Sequence, residues 1–398
     1  MLADRSILLA VSGGIAAYKC AELARLFVQQ GAVVRVAMTR AATAFVGPVT
    51  FAGITGLPVC RDLFDQQDAV MGHIEWAQNV ELMVVAPATA NVIGKLAAGI
   101  ADDAVTTMAM ATTAPLLVCP AMNITMYQKP VVQANIKRLG ELGMVVLEPG
   151  VGEQACGAVG PGRLPEPAVI LEKALGCILP QDLAGRRILV TAGPTFEAID
   201  PVRFIGNPSS GKMGYAVARA AAQRGAEVTL VSGPTSLDSP HKIKTLRVAT
   251  ALEMAAAVEN HFNESDVVIK TAAVSDYRPE TQASQKIKKT ATTIDLHLVR
   301  SPDILQILGK MKKDQILVGF AAETENVAAN ARKKMDQKNL DLIVANDVSR
   351  SDAGFALDTN TVTIFSKTEP PEKLPSLSKE KVAHHLLDRV VRLSADPA

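Results

Sequence analysis

Aromatic residues make up only 4% of this chain, and neither sign of charge prevails. Lys and Arg number 41 against 40 Asp and Glu, so the net charge is +1. That balance lacks the basic footprint of a nucleic-acid binder. No Cys-x-x-Cys occurs, and the five cysteines (Cys20, Cys60, Cys119, Cys156 and Cys177) are odd in number and widely spaced. They read as reduced thiols of a cytoplasmic protein rather than a disulfide framework or a zinc site. Long apolar runs are missing too. The most apolar stretch, from Leu82 to Met122, is broken by Pro87, Lys95, Asp102, Asp103 and Pro115. A membrane span needs about 20 nearly uninterrupted apolar residues, so no membrane partner is expected. Asp4 and Arg5 precede a short strand without the apolar core of a signal peptide. Neither half carries Gly-x-Gly-x-x-Gly after a strand with an acidic residue about 20 positions on, which argues against tandem NAD(P) domains.

What is abundant is Ala, Val, Ile and Leu, the composition of buried parallel strands covered by helices. One α/β opening occurs twice. Ser6–Ile15 is an apolar strand running into Ser12-Gly13-Gly14, followed by an Ala-rich helix and a second strand from Gly31 to Thr39. Arg187–Pro194 begins the same way, with a helix from about Met213 and a second strand from Gly225 to Gly233. Parallel strands need a helical crossover. The turns of such units lie where anions meet helix N-termini. With 398 residues, two domains are expected. The first half places strands near Ile7, Val34, Val84, Leu117 and Val145, and helices from Ala16, Asn91 and Val131. The second places strands near Ile188, Val228, Val267, Leu296, Leu317, Ile343 and Val362, and helices near Gly214, Leu252, Asp303, Ala328 and Val382. This alternation predicts a doubly wound α/β sheet in each. Leu179–Gly185 reads as the linker, giving domains 1–180 and 181–398. Residues 274–293 have no apolar periodicity and read as a mobile, partly basic loop.

Several motifs admit two readings. Ser12-Gly13-Gly14 forms a phosphate cradle of N–H groups, with the Thr39 hydroxyl beside it, or a tight turn that packs helix on sheet. Gly206–Met213 nearly spells a P-loop, but Met213 replaces the hydroxyl that would hold Mg²⁺. Ser301-Pro302-Asp303 starts a helix, with Ser301 expected as N-cap; its N–H groups either face a phosphate or simply begin the helix. Lys286, Lys288 and Lys289 form a solvated face or close over a triphosphate. His73, beside the only Trp, is a base or a structural imidazole. Cys156 sits among glycines, buried or carried on a flap.

Taken together and in order, these segments resemble one family. Val11–Lys19, Gly72–Glu75, Ala86–Asn91, Pro120–Asn123 and Ala155–Gly157 match a flavin-dependent decarboxylase half. Thr191–Thr195, Asn207–Gly214, Ala272–Tyr277, Lys286–Lys289, Gly319–Thr324 and Ala345–Ser349 match a ligase half. The chain resembles, over its full length, the bifunctional phosphopantothenoylcysteine decarboxylase/phosphopantothenate–cysteine ligases of coenzyme A biosynthesis. Tyr127 stands where many relatives have Trp, and Arg300-Ser301 where they often have Lys-Asn.

The resemblance implies an N-terminal flavodoxin-like/Rossmann-like flavoprotein domain and a C-terminal Rossmann-like ligase domain. It implies FMN in the first, near Ser12, Gly13, Gly14, Ile15, Thr39, Ala86 and Thr89. His73 would be the base, Asn123 would hold the substrate carboxylate and Cys156 would donate a proton. It implies CTP with Mg²⁺ in the second, near Ala272, Asp276, Lys286, Pro302, Asp303, Ile304, Leu305, Phe320, Lys334 and Lys338. There Lys286 would act on the nucleotide phosphates and Asn207 on an acyl-cytidylate; the Mg²⁺ ligands are unassigned. The small-molecule substrates would be 4′-phosphopantothenate, cysteine and CTP. Trimeric N-terminal and dimeric C-terminal contacts would build a homododecamer. A non-catalytic flavoprotein-like scaffold is the competing expectation, although the chain retains both His73 and Cys156.

Overall fold

The structure, a computed structural model, describes residues 2, 5–63, 72–155, 157–241, 243–288, 293–323, 327–347 and 358–395. It divides into two compact units, 1–180 and 181–398.

The first unit contains strands β1 (Ser6–Val11), β2 (Val33–Met38), β3 (Val59–Cys60), β4 (Leu82–Ala88), β5 (Leu116–Pro120) and β6 (Val145–Val146), then a hairpin of β7 (Gly150–Glu153) and β8 (Val159–Arg163). Its helices are α1 (Ala17–Gln29), α2 (Pro48–Thr55), α3 (Gly72–Gln78), α4 (Ala90–Ala98), α5 (Ala104–Ala111), α6 (Ile124–Tyr127), α7 (Pro130–Glu141) and α8 (Pro167–Ile178). The six-stranded sheet runs β3-β2-β1-β4-β5-β6, parallel throughout. The chain goes out one way from β1 and returns to the other side at β4. A crevice opens at that reversal, outside the strands' carboxyl ends. All seven residues of β4 are buried, as expected of a strand covered on both faces.

The second unit repeats this plan. Its strands are β9 (Arg187–Ala192), β10 (Phe196–Ala198), β11 (Phe204–Gly206), β12 (Glu227–Ser232), β13 (Lys244–Arg247), β14 (Val267–Lys270), β15 (Tyr277–Pro279), β16 (Leu298–Arg300), β17 (Ile316–Glu323), β18 (Leu342–Asp347), β19 (Thr359–Asn360), β20 (Val362–Ser366), β21 (Glu372–Lys373) and β22 (Leu377–Ser378). Helices α9 (Lys212–Gln223), α10 (Ala251–Phe262), α11 (Ile304–Met311), α12 (Val327–Gln337) and α13 (Lys379–Ala395) cover them. The main sheet is β13-β12-β9-β14-β17-β18-β20-β21, with antiparallel pairing only from β18 outward. By the same topological rule the crevice position lies between β9 and β14, where the strand order reverses. Gly214 lets α9 seat closely there, because a Cβ would meet Thr271 Oγ1 at 2.4 Å and Ala192 Cβ at 2.5 Å.

Three expectations change. The strand expected near Leu296 is β16, which pairs with β15 in a separate two-stranded ribbon instead of joining the main sheet. The loop 274–293 is partly tied down: it contains β15, and Ile287 N–H donates to Asp200 Oδ2 at 3.1 Å while its carbonyl accepts from Arg203 at 2.9 Å. Ser301 does not cap α11. Asp303 does, accepting from Gln306 N–H at 3.1 Å, while Ser301 N–H donates to Asp276 O.

Candidate active sites

The crevice of the first unit is a cleft of about 1110 Å³. The β1–α1 turn, the β4–α4 turn, the segment around Asn123 and the β7–β8 hairpin surround it. Ser12, Gly13, Gly14, Ile15, Thr39 and Thr89 all line it. Ser12 is 1% exposed. Its hydroxyl donates to Pro87 O at 2.6 Å and accepts from Thr89 N–H at 3.1 Å, so its side chain braces the two turns against each other. Gly13 is required by space, since a Cβ would lie 2.4 Å from Ala41 Cβ. Ala86 does not line the cleft. It is fully buried in β4, its carbonyl accepting from the Cys20 thiol at 2.9 Å.

At the cleft's far side Asn123 caps α6, its Oδ1 accepting from Thr125 N–H at 2.8 Å. His73 lies on α3, but its side chain, like Cys156 altogether, falls outside the described residues. Among the cleft groups not singled out from sequence are Lys95, Asp103 and Gln154. Lys95 pairs with Asp102 at 2.6 Å and Asp103 at 2.9 Å, bonds that raise its pKa above the usual lysine value. In sequence Lys95 reads only as an interruption of an apolar stretch. Among the described residues no two cysteines form a disulfide, and burial pushes the Cys20, Cys119 and Cys177 thiols up, out of reactive range.

The cleft fits a flat ring with an anionic tail. The Gly13–Gly14 turn admits backbone-close approach, Ile15, Met122 and Leu164 give apolar wall, and Lys95 and Arg163 lie on its lining.

In the second unit, most of the remaining residues converge at the carboxyl ends of β9, β14 and β17. Asn207 donates to Ala273 O and Val274 O, both at 3.2 Å, which brings it against the Ala272–Asp276 segment. Lys338 N–H continues the turn from Lys334 O, so the two lysines do share a face. Lys338 pairs with Asp303 at 2.7 Å. Burial pushes the Asp303 carboxyl up, but Lys338 and the Gln306 N–H outweigh it and hold the group below the usual range. Ile304 and Leu305 are buried in the core beneath, as is Ala272, and Phe320 is partly buried in β17. They can act on a nucleotide only as wall or through their peptide groups. Pro302 precedes the cap. Lys286 is exposed, held in place through its neighbour Ile287. The near P-loop binds differently from its namesake: Lys212 pairs with Asp358 at 2.6 Å and Met213 packs toward the core.

Lys270, the last residue of β14, was also missed. Burial and the like charges of Lys338 and Lys334 bring its pKa down to about 8, against the opposing pull of Asp303 and Asp276. Sequence shows it only as the polar end of a buried strand. Among the described residues no three His, Cys, Asp or Glu side chains group as a metal site. No described helix is long and apolar enough to cross a membrane.

The fold and crevices define a tandem doubly wound protein with a cofactor cleft in its first unit. Residues 1–179 match the flavoprotein domain model, and residues 183–393 the model of the C-terminal domain of DNA/pantothenate metabolism flavoproteins. The chain is 50% identical to the coenzyme A biosynthesis bifunctional protein CoaBC of Bacillus subtilis (strain 168), over 99% of this chain and 98% of the relative. It is 48% identical to the protein of the same name from Escherichia coli (strain K12), over 98% and 97%. A crystal structure of the C-terminal domain of a CoaBC protein covers 55% of this chain and all of its own, at 46% identity and a TM-score of 0.48. The chain therefore belongs to the bifunctional CoaBC family of coenzyme A biosynthesis, and its first unit is a flavoprotein domain.

Proposed function

We propose that residues 181–398 join 4′-phosphopantothenate to cysteine at the expense of CTP, and that residues 1–180 decarboxylate the resulting 4′-phosphopantothenoylcysteine to 4′-phosphopantetheine. The observation that carries this reading is similarity to bifunctional relatives across both units, each with its own doubly wound sheet.

A carboxylate resists attack by an amine until its oxygen becomes a good leaving group. In the second unit CTP supplies that group: the carboxylate attacks the α-phosphorus, pyrophosphate departs, and the acyl-cytidylate then loses CMP to the cysteine amine. Lys286, on its anchored loop, offers a positive charge to the triphosphate. Lys334, Lys338 and the start of α11 offer charge and N–H groups to the nucleotide, and Asp276 a carboxylate. Asn207, oriented by the carbonyls of 273 and 274, faces the acyl intermediate. Mg²⁺ would keep much of its shell in water and phosphate oxygens, which suits a unit whose described residues form no ready-made cluster of ligating side chains.

In the first unit the chemistry starts from a cysteine carboxylate whose loss as CO₂ would leave an unstabilised carbanion. FMN, held there, would supply a reversible two-electron sink for the aminothiol carbon, so that the net redox change would be zero. The protein's part is to place and protonate. Gly13 and Gly14 receive the cofactor's phosphate, Asn123 holds the substrate carboxylate, His73 accepts a proton, and Cys156 gives one back.

The two exposed hairpins of the second unit carry Val202, Phe204, Tyr277 and Leu298 at the surface. Such apolar side chains suit a subunit contact. They support a dimer through this unit, which with a trimer through the first makes the homododecamer, a cytoplasmic assembly.

The test mixes the protein with 4′-phosphopantothenate, cysteine and CTP. CO₂ and 4′-phosphopantetheine should form together, with CMP and pyrophosphate. Omitting CTP should stop both unless 4′-phosphopantothenoylcysteine is supplied directly. Purified protein without flavin, or amide product with no CO₂, would defeat the reading of the first unit.

A further inference from the structure

Gln154 grips the chain on both sides of Asn123. Its Oε1 accepts from the Ile124 N–H at 3.0 Å, and its Nε2 donates to Met122 O at 3.1 Å. The same Nε2 also reaches across the β7–β8 hairpin to Pro161 O at 3.3 Å. The hairpin backbone closes on this segment as well. Met122 N–H donates to Gly162 O at 2.9 Å. A Cβ at position 162 would lie 2.3 Å from Met122 O, at a φ of +126° that favours glycine, and one at position 160 would lie 2.1 Å from Ile124 Cδ1. Residues 122–124 are thus seated against hairpin backbone with no spare room. Met122, Asn123, Gln154 and Gly162 all line the flavin cleft.

A glutamine that merely stiffened the hairpin would bond within it. Two of these three bonds instead go to the peptides flanking Asn123. A carboxamide that must hold a departing carboxylate needs its own backbone fixed, since small misplacements at a reacting group cost large factors in rate. Asn123 spends its Oδ1 on capping α6, so the direction of its amide group follows the local backbone. That backbone is what Gln154 holds.

We propose that Gln154 is a positioning residue of the decarboxylation site: it fixes the Asn123 peptide to the β7–β8 hairpin and so sets where the Asn123 carboxamide meets the substrate carboxylate. The proposal rests on the reading above, in which Asn123 holds that carboxylate. It gives the hairpin a specific task in the reaction and gives residue 154 a requirement for an amide.

The experiment uses the full chain with FMN and substitutes Gln154→Met, which keeps length and removes hydrogen bonding. Gln154→Glu is a second variant, keeping the acceptor for Ile124 N–H and losing both donor bonds. With 4′-phosphopantothenoylcysteine supplied, kcat should fall about tenfold or more in Gln154→Met and less in Gln154→Glu, KM staying within about twofold. Flavin content and the CTP-dependent ligation rate should match the parent. In an Asn123→Ala background, Gln154→Met should add less than about a twofold further loss, because both act on one interaction. Amide hydrogen exchange, read on flavin-free protein, should quicken together in peptides covering 122–128 and 150–163. Full additivity with Asn123→Ala, unchanged exchange at 122–128, or loss confined to flavin content would each overturn the proposal. A parent protein that releases no CO₂ would sink the decarboxylase reading itself, and this inference with it.

Discussion

At the scale of single residues, the two crevices impose opposite demands. Position 13 needs absence: a methyl group there would meet Ala41 Cβ at 2.4 Å and Ala41 C at 2.7 Å. Overpacking of this kind typically costs about 1–3 kcal/mol, and here the strain falls on a turn that lines the cleft of the first unit. Gly13→Ala should therefore weaken FMN binding about tenfold or more, read as loss of flavin absorbance on gel filtration, while CTP-dependent ligation is unchanged. Position 270 carries a charge in a poor place. Its ammonium titrates at about 8 in the folded protein against 10.5 when free. Below about pH 8 both states are charged and the folded state bears the full burden. Above that, stability rises with pH until the unfolded chain also loses its proton. Lys270→Met should thus raise Tm at pH 7 by several degrees, a gain on the order of 2 kcal/mol, and the difference should vanish by about pH 10.5. Equal Tm values at pH 7 would show that the neighbouring carboxylates fully compensate it. Gly13 was legible in sequence as a turn residue, a Gly-Gly turn after an apolar strand being either an anion cradle or a tight packing of helix on sheet. Lys270 was not: a lysine after three apolar residues reads as a strand end, and its neighbours Asp303 and Lys338 come from other segments.

At the scale of elements, α13 and α9 are joined through one guanidinium. Arg224, 3% exposed, donates to both oxygens of Asp182 at 2.8 and 2.6 Å, to Asp388 at 2.7 Å and to His384 O at 3.3 Å. His384 sits beside it. Burial and then the Arg224 charge lower its imidazole pKa to about 4, with Asp388 and Glu380 acting the other way, and its Nε2 has no hydrogen-bond partner among the described residues. A depressed histidine is neutral in both states above about pH 6.5, so it costs nothing there. As pH falls from 6.5 toward 4 the unfolded chain gains a proton that the folded chain refuses, and stability is lost. Thermal unfolding should record a loss on the order of 2 kcal/mol across that window. His384→Leu should flatten most of that decline; an equally steep acid limb in the variant would place its cause elsewhere. Long elements such as α1, α9 and the buried strands announce themselves by apolar content. Short ones do not. The β7–β8 hairpin reads as a run of glycines, α6 is a single turn, and the α11 cap lies at Asp303, two residues beyond Ser301, because it is the Asp303 carboxylate that reaches the Gln306 N–H. The parts nearest the chemistry were the least visible, because close backbone approach and brief turns leave little periodicity.

At the scale of the whole molecule, each sheet has its own apolar layers on both faces. The clusters around Phe27 and Met83 draw only on residues of the first unit, and those around Tyr215 and Phe262 only on the second. Among the described residues each core cluster is drawn from one unit, so each has what a domain needs to fold alone. The repetition of the 3-2-1-4-5-6 order in both explains why a sequence reading could find two openings of one kind. The antiparallel extension β20-β21 and the small ribbons distinguish the second. Cutting the chain between residues 180 and 181 should therefore separate the reactions without destroying either. Residues 1–180 should retain FMN and release CO₂ from supplied 4′-phosphopantothenoylcysteine, and residues 181–398 should form that amide from CTP, 4′-phosphopantothenate and cysteine. Mixed, the halves should restore the full conversion, slowed only by diffusion of the intermediate. Light scattering on the same samples tests the assembly: a trimer for the first half, a dimer for the second and a dodecamer for the uncut chain, the product of two contacts that each use one unit. Monomeric halves from a dodecameric parent would mean that the contacts span both units. A half that folds and yet is inactive when supplied with its own substrate would mean that its crevice is completed from outside, against the closed cores of each sheet.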